Sequence, residues 1–139
     1  MMSLKERIKE CLNRYTTISD EGFEDFYKLY SSMPYFSEDM EFRRDNVLFV
    51  FVFVFMAKIQ YAKEGTYGNS WEKRKEVGVF MNMARKFDRL ENMIIDGKKD
   101  EVGESKADTV ADEGVYSVLW LTYILRESPE EFTQWMASI

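Results

Sequence analysis

The chain has 139 residues, of which 45% are hydrophobic and 16% aromatic, so it carries enough apolar side chain for a packed core and is not predicted to be disordered. The formal net charge of -6 at pH 7 disfavours binding to duplex nucleic acid, because that binding depends on neutralising phosphates. The complete absence of histidine excludes histidine-based acid–base catalysis, Ser-His and Cys-His nucleophile pairs, and histidine metal ligands.

Localisation is predicted from three features. The N-terminal residues lack the apolar stretch of a signal peptide. The longest apolar run, residues 47–57, is shorter than the roughly 20 residues needed to cross a bilayer. The single cysteine, Cys11, is compatible with a reducing compartment. We therefore predict a cytoplasmic protein without a membrane partner.

The predicted elements begin with a helix after Ser3, where Ser3 and Glu6 form a capping-box pattern that satisfies free backbone amides. A second helix is expected over residues 19–32, where aromatic side chains recur at helical spacing until Pro34. Both segments are typical of helices that bury one face.

Residues 46–63 are ambiguous. Residues 47–55 are all Val, Leu or Phe, with phenylalanine and valine alternating from residue 49, a pattern with the β-propensity of a buried strand. The run continues into helix-forming residues that reach Gly65, and no second strand-like segment is available for pairing. We predict a helix that is apolar on all sides and is therefore the central, buried one.

The rest of the chain also has helix signals. Later helix starts are marked by three capping-box patterns: Asn69/Glu72, Ser105/Asp108 and Ser128/Glu131. Helix stops are marked by three glycines: Gly65, Gly97 and Gly103. An exposed loop is expected over residues 96–106, and a short terminal helix after Pro129. The predicted fold is a single all-α domain over residues 1–139, a compact bundle of five or six helices.

The turn at residues 65–71 is the first candidate site segment. Asn69 is predicted to cap the following helix, whose N-terminal amides would attract an anion. Tyr67 and Trp71 have two interpretations: they stack on a base, or they pack in the core, which is commoner for aromatic residues beside a turn.

The second candidate segment is the helix over residues 80–94. A helical wheel places five apolar residues on one face, the predicted core side: Phe80, Met83, Phe87, Leu90 and Ile94. Asn82, Lys86 and Arg89 fall on one flank, with Arg85 further round, and could bind phosphate oxygens. The alternative is a solvated face with an Arg85–Asp88 pair.

The third segment contributes carboxylates. Asp108 and Asp112 share a helical face that continues into apolar residues, so Asp112 is predicted to be partly buried and to need Lys86, Arg89 or a divalent ion as its partner. Asp108 is also the acid of the Ser105 capping box. Two carboxylates one turn apart can bind magnesium, so Mg²⁺ on Asp108 and Asp112 is the cofactor hypothesis. A purely structural salt bridge at Asp112 stays the alternative.

Taken together, these segments resemble the nucleotide-modification-associated domain family of phages and bacteria, over roughly residues 57–125. The matching residues are Tyr67, Gly68, Asn69, Trp71, Asn82, Arg85, Lys86, Arg89, Asp108 and Asp112. The resemblance implies an all-α domain associated with nucleotide metabolism or with modified phage nucleotides. We expect a phage-encoded protein, which would act in the host cytoplasm.

The chain has a looser similarity to the all-α nucleoside triphosphate pyrophosphohydrolases. Those enzymes carry Glu-x-x-Glu and then Glu-x-x-Asp on consecutive helices. The acidic pairs here are Glu21 with Glu24, Asp88 with Glu91, and Asp108 with Asp112, which match that pattern only in part.

Three functional hypotheses follow. The first is a nucleotide-binding protein that sequesters its ligand against host defence and whose ligand-binding residues are Tyr67, Asn69, Trp71, Asn82, Arg85, Lys86, Arg89 and Asp112. The second is a magnesium-dependent pyrophosphohydrolase-like enzyme. The third is an interaction module without a small ligand, whose oligomer interface uses residues 49–55 with Trp120, Tyr123, Phe132 and Trp135. A homo-oligomer is expected in any of the three.

Overall fold

The computed structural model describes residues 1–98 and 105–139. Within these ranges the structure has six α-helices and no strand, which confirms the all-α prediction. The helices are α1 (Leu4–Tyr15), α2 (Asp20–Tyr30), α3 (Arg44–Tyr67), α4 (Lys75–Ile94), α5 (Lys106–Glu127) and α6 (Pro129–Ala137). A short 3₁₀ turn, Ser70–Glu72, joins α3 to α4.

The chain divides into two units, Met1–Phe55 and Met56–Ile139, and the boundary falls inside α3. The segment that resembles the nucleotide-modification-associated family lies in the second unit. That the whole chain is a single domain stays a prediction.

The first unit is built on a core from α1, α2 and the start of α3. Phe23 and Tyr30 of α2 are fully buried there, as the aromatic spacing in the sequence predicts. The Tyr30 hydroxyl donates to Asn46 Oδ1 at 2.6 Å and so links α2 to α3. Burial, with the neighbouring Tyr35 hydroxyl, raises the pKa of Tyr30 to about 12. The hydroxyl of the fully buried Tyr30 is therefore satisfied by a side chain of the neighbouring helix.

In the second unit α4 packs against α5, and α6 packs against α5. Two polar contacts hold this arrangement. The Trp120 indole Nε1 donates to Glu76 Oε2 at 3.0 Å, which joins α5 to α4. Arg126 Nη2 lies 2.6 Å from Glu72 Oε2, which fixes the 3₁₀ turn against the end of α5.

Helix α3 is confirmed as a helix, but the prediction that it is the central buried one is wrong. Only Val47 and Val50 are buried in it, whereas Phe49 and Phe53 are 64% and 45% exposed. Apolar composition on every side shows what a helix could bury, and the packing partners decide how much of it is buried.

Among the described residues, α3 is the one helix that is long and apolar enough to cross a membrane, by length and composition alone. It has 24 residues and an 18-residue window of mean hydropathy 1.5, of which 11% is buried. The prediction of no membrane partner counted only the unbroken apolar run, and it stays a prediction.

Two of the four predicted helix caps are present in the structure. Ser3 Oγ accepts from the Glu6 amide, and Ser105 with Asp108 forms a complete capping box, so both predicted caps are confirmed. Asn69 precedes only the 3₁₀ turn and makes no side-chain cap hydrogen bond. Helix α6 begins at Pro129 as predicted, yet Ser128 makes no side-chain cap bond.

The predicted stops are partly wrong. Helix α3 continues through Gly65 to Tyr67, and it is Gly68, with a φ of +60°, that follows its last residue. Gly97, with a φ of +65°, follows α4 as predicted. Gly103 and most of the predicted loop over residues 96–106 lie outside the described residues.

The Ser105 cap provides a test of the fold. Replacing Ser105 by alanine should lower the free energy of unfolding by about 1 kcal/mol, because the Asp108 amide loses its acceptor. The Ser128→Ala variant is the matched control, since that serine makes no side-chain cap bond. Urea unfolding of both variants at one protein concentration measures the difference. Equal losses would contradict the assignment of the cap.

Candidate functional site

The second unit contains a pocket of about 500 Å³. Its walls come from the end of α3, the 3₁₀ turn, α4 and α5. The lining residues are Gln60, Lys63, Glu64, Tyr67, Gly68, Ser70, Trp71, Asn82, Lys86, Asp112, Val115, Tyr116 and Leu119. The four from α3 recur every three or four residues and therefore share one face of that helix.

Asp112 joins the three helices of the pocket. Its Oδ1 accepts a hydrogen bond from Lys63 Nζ of α3 at 2.8 Å, and its Oδ2 lies 3.0 Å from Lys86 Nζ of α4. The side chains of Asp112 and Lys86 are 16% and 17% exposed, whereas that of Lys63 is 51% exposed. The prediction that Asp112 is partly buried and pairs with Lys86 is confirmed.

The charge state of Asp112 follows from this arrangement. Burial raises the pKa of its carboxyl, but the hydrogen bonds from Lys63 and Lys86 outweigh burial and bring the pKa below its ordinary value of 3.8. Asp112 is therefore ionised at neutral pH. Lysines from two neighbouring helices share this one carboxylate.

The neighbouring carboxyl of Glu113 behaves in the opposite way. Burial raises its pKa above the ordinary value, although Lys86 opposes the rise. Its Oε1 is buried without a hydrogen-bond partner in the described ranges. Sequence analysis gave no role to Glu113.

Helix α4 is turned about its axis relative to the predicted orientation. Asn82 and Lys86 face the pocket, while Phe80, Phe87 and Ile94 are 55%, 62% and 58% exposed. The predicted core face is therefore wrong for these three residues; Met83 and Leu90, its other members, are half-buried. The reason is the carboxylate on α5, since a half-buried Asp112 requires cations from the helix that packs against it.

Five of the predicted site residues meet in the pocket: Tyr67, Trp71, Asn82, Lys86 and Asp112. The other four do not line it: Asn69, Arg85, Arg89 and Asp108. Arg85 donates to Asn82 Oδ1 at 2.8 Å and so orients the side-chain amide of Asn82, which lines the pocket. Arg89 is half-buried, one turn after Lys86 on α4.

Sequence analysis missed the contribution of α3. Gln60, Lys63 and Glu64 line the pocket together with Tyr67. Their helical spacing was visible in the sequence, but the predicted stop at Gly65 separated Tyr67 from them. A helix that continues to residue 67 would have placed all four on one face.

The carboxylates do not fit the magnesium hypothesis. Asp108 Oδ2 accepts from the Ser105 backbone amide at 3.2 Å, and Asp112 is held by two lysines, which would compete with a cation. Across residues 1–98 and 105–139, no three Cys, Asp or Glu side chains group closely enough to hold a metal ion.

The chain is similar to the Gene 30 protein of Bacillus phage SP01, with 38% identity over 118 aligned residues that include 68% of this chain and 52% of that protein. The chain thus spans about half the length of this relative. A phage relative supports a phage-encoded protein. No family model matches the chain, and no solved structure matches it. The resemblances to the nucleotide-modification-associated family and to the pyrophosphohydrolases stay predictions.

The ion cluster makes a pH-dependent prediction. Asp112→Asn should lower the free energy of unfolding by about 1–3 kcal/mol at pH 7, because a partly buried charged acceptor is lost. A carboxyl whose folded pKa is depressed stabilises the protein above its unfolded pKa, and this is lost as pH falls through the folded value. The deficit of the variant should therefore shrink below about pH 4, near the ordinary value of 3.8.

Asp45→Asn is the control for this measurement. Asp45 also pairs with a cation, at 2.9 Å from Arg44 Nε, but its side chain is 83% exposed. Its replacement should change stability little. Urea titrations from pH 3 to 8 compare both variants with the parent chain. A constant deficit of Asp112→Asn across this range would contradict the assigned charge state.

Proposed function

We propose that this protein binds a phosphorylated small molecule, a nucleotide or nucleotide-derived signal, in the pocket between α3, α4 and α5. The observation that carries the proposal is the set of groups on the pocket wall. Lys63 contributes an ammonium group on a side chain that is half exposed. Trp71 contributes a buried indole N–H that has no acceptor in the described ranges. Tyr67 contributes an aromatic ring and is 69% exposed.

The size and walls of the pocket suit such a ligand. Small-molecule sites usually measure about 300–1,000 Å³ and combine apolar walls with a few polar groups. This pocket, at about 500 Å³, falls in that range. Tyr67 and Trp71 offer aromatic faces on which a base can stack, and Val115 and Leu119 extend the apolar wall.

The two lysines have different parts in the proposed site. Lys86 is largely buried and keeps Asp112 ionised and in place. Lys63 is half exposed, so its ammonium can turn from Asp112 to a phosphate oxygen at a small cost in solvation. Phosphate binding therefore depends on Lys63 directly and on Lys86 through Asp112.

The remaining polar groups favour a nucleotide over a bare phosphate. Glu64 accepts a hydrogen bond from Gln60 at 3.1 Å and lines the same pocket. A carboxylate at the wall repels phosphate but accepts from a sugar hydroxyl or a base amino group. Asn82 supplies an amide held by Arg85, which can orient such a group.

Binding without turnover fits this chemistry better than hydrolysis, since Asp112 and Glu64 are already hydrogen-bonded and Asp108 caps a helix. The phage relative supports a phage-encoded protein. From both we infer a protein that acts in the host cytoplasm and sequesters a nucleotide-derived signal against host defence.

The test is a thermal-shift and calorimetric titration with dTTP, ATP, a cyclic dinucleotide and unphosphorylated thymidine. A ligand that binds the native state stabilises it by RT ln(1 + L/Kd), so at least one phosphorylated probe should raise Tm while thymidine does not. Lys63→Met should weaken that binding about tenfold or more, equivalent to roughly 1.4 kcal/mol. Lys58→Met is the matched control, because Lys58 lies on α3 outside the pocket lining.

Three outcomes would contradict the proposal. The first is that no probe changes Tm. The second is that thymidine binds as well as its phosphorylated forms, and the third is that Lys63→Met and Lys58→Met lose equal affinity. Chromatography of the bound fraction separates sequestration from turnover: intact ligand is expected, and cleaved product would establish the pyrophosphohydrolase-like alternative instead.

A further inference from the structure

The first unit has a cavity of its own, of about 360 Å³, formed by α1 and the residues that lead into α3. We call it the arginine cavity, because three arginines line it together with one carboxylate and two aromatic rings: Arg7, Arg14, Arg44, Glu10, Tyr15 and Phe42. It shares no residue with the pocket of the second unit. Its volume falls within the range of about 300–1,000 Å³ that is usual for small-molecule sites.

Helix α1 places two of these arginines on one face. Arg7 and Arg14 lie two helical turns apart, and Cys11 lies between them on the same face. Cys11 is 6% exposed and also lines the cavity. Burial raises the pKa of its thiol, while the charges of Arg44 and Arg14 oppose that rise. Guanidinium groups from α1 and from the first residue of α3 therefore face the same small space.

Two of the three guanidinium groups lie over aromatic rings. Arg7 Cζ is 4.9 Å from the centre of the Phe42 ring, and Arg14 Cζ is 5.8 Å from the centre of the Tyr15 ring. A ring face attracts a cation but carries no net charge. These contacts therefore leave the positive charge and the N–H donors of both arginines available to an anion.

Carboxylates neutralise this positive charge only in part. Within residues 1–98 and 105–139, neither Arg7 nor Arg14 forms a salt bridge, and Glu10 forms none either. Arg44 pairs with Asp45, whose Oδ1 lies 2.9 Å from Arg44 Nε. Three cations are thus accompanied by two carboxylates, and a cleft with an excess of one charge concentrates ions of the opposite sign.

A phosphate monoester matches this arrangement. It carries a charge of about −1.5 to −2 at pH 7 and three strong acceptor oxygens. The planar fork of an arginine binds two such oxygens at once, which a lysine ammonium does not. Tyr15 is 50% exposed, so its ring offers an apolar contact to the group that carries the phosphate.

We propose that the arginine cavity binds the phosphate of a small phosphomonoester, with Arg7, Arg14 and Arg44 as the phosphate-binding residues. The proposal goes beyond the function proposed for the second unit, because the cavity is built entirely from residues of the first unit. It holds whether or not the pocket of the second unit binds a nucleotide.

Isothermal titration calorimetry of the full chain with phenyl phosphate tests the proposal. The titration is made in the Lys63→Met variant, because that substitution removes the phosphate contact proposed for the pocket of the second unit. Phenyl phosphate should bind, and phenol, which lacks the phosphate, should not. Arg7→Gln and Arg14→Gln, each added to Lys63→Met, should weaken binding about tenfold or more, since each removes a charged hydrogen-bond donor.

Arg43→Gln in the same background is the matched control. Arg43 directly precedes Arg44 and is exposed, but it does not line the arginine cavity. This variant should keep its affinity for phenyl phosphate, and circular dichroism verifies that all variants keep their helical content. No binding of phenyl phosphate, equal binding of phenol, or equal losses in Arg43→Gln and Arg14→Gln would overturn the proposal. Benzoate that binds as tightly as phenyl phosphate would overturn the assignment to phosphate.

Discussion

The arrangement of the second unit depends on one half-buried carboxylate. Asp112 accepts from Lys63 of α3 and pairs with Lys86 of α4, so three helices meet at its two oxygens. A carboxylate this little exposed is stable only with cations beside it, and that requirement sets which face of α4 turns inward. The pocket is a consequence of this constraint, because Asn82 and Lys86 line it from the face of α4 that turns toward Asp112.

This constraint also explains why an apolar helix face can be exposed. In most helices the apolar face decides the packing. In α4 the inward face is shared between Val79, which is fully buried, and the polar residues Asn82 and Lys86. Phe80, Phe87 and Ile94 are therefore each more than half exposed.

Local sequence signals predicted much of the fold. The caps at Ser3 and Ser105, the helix over residues 46–63 and the partial burial of Asp112 all follow from residues close in sequence, and the structure confirms them. The exposure of Phe49 and Phe87 could not be predicted in this way, because burial depends on which element packs against a helix. Lys63 was missed for a related reason: its importance comes from Asp112, 49 residues away.

The central claim is that the pocket binds a phosphorylated ligand next to Trp71, and the indole N–H signals test it most directly. The chain has three tryptophans, so an ¹H–¹⁵N spectrum has three indole peaks, which Trp→Phe variants assign. Trp120 donates to Glu76, and neither it nor Trp135 lines the pocket, whereas Trp71 does. During titration with the phosphorylated probe that raises Tm most, the Trp71 peak should shift while the other two stay nearly unchanged. A stationary Trp71 peak at saturating probe would contradict the account.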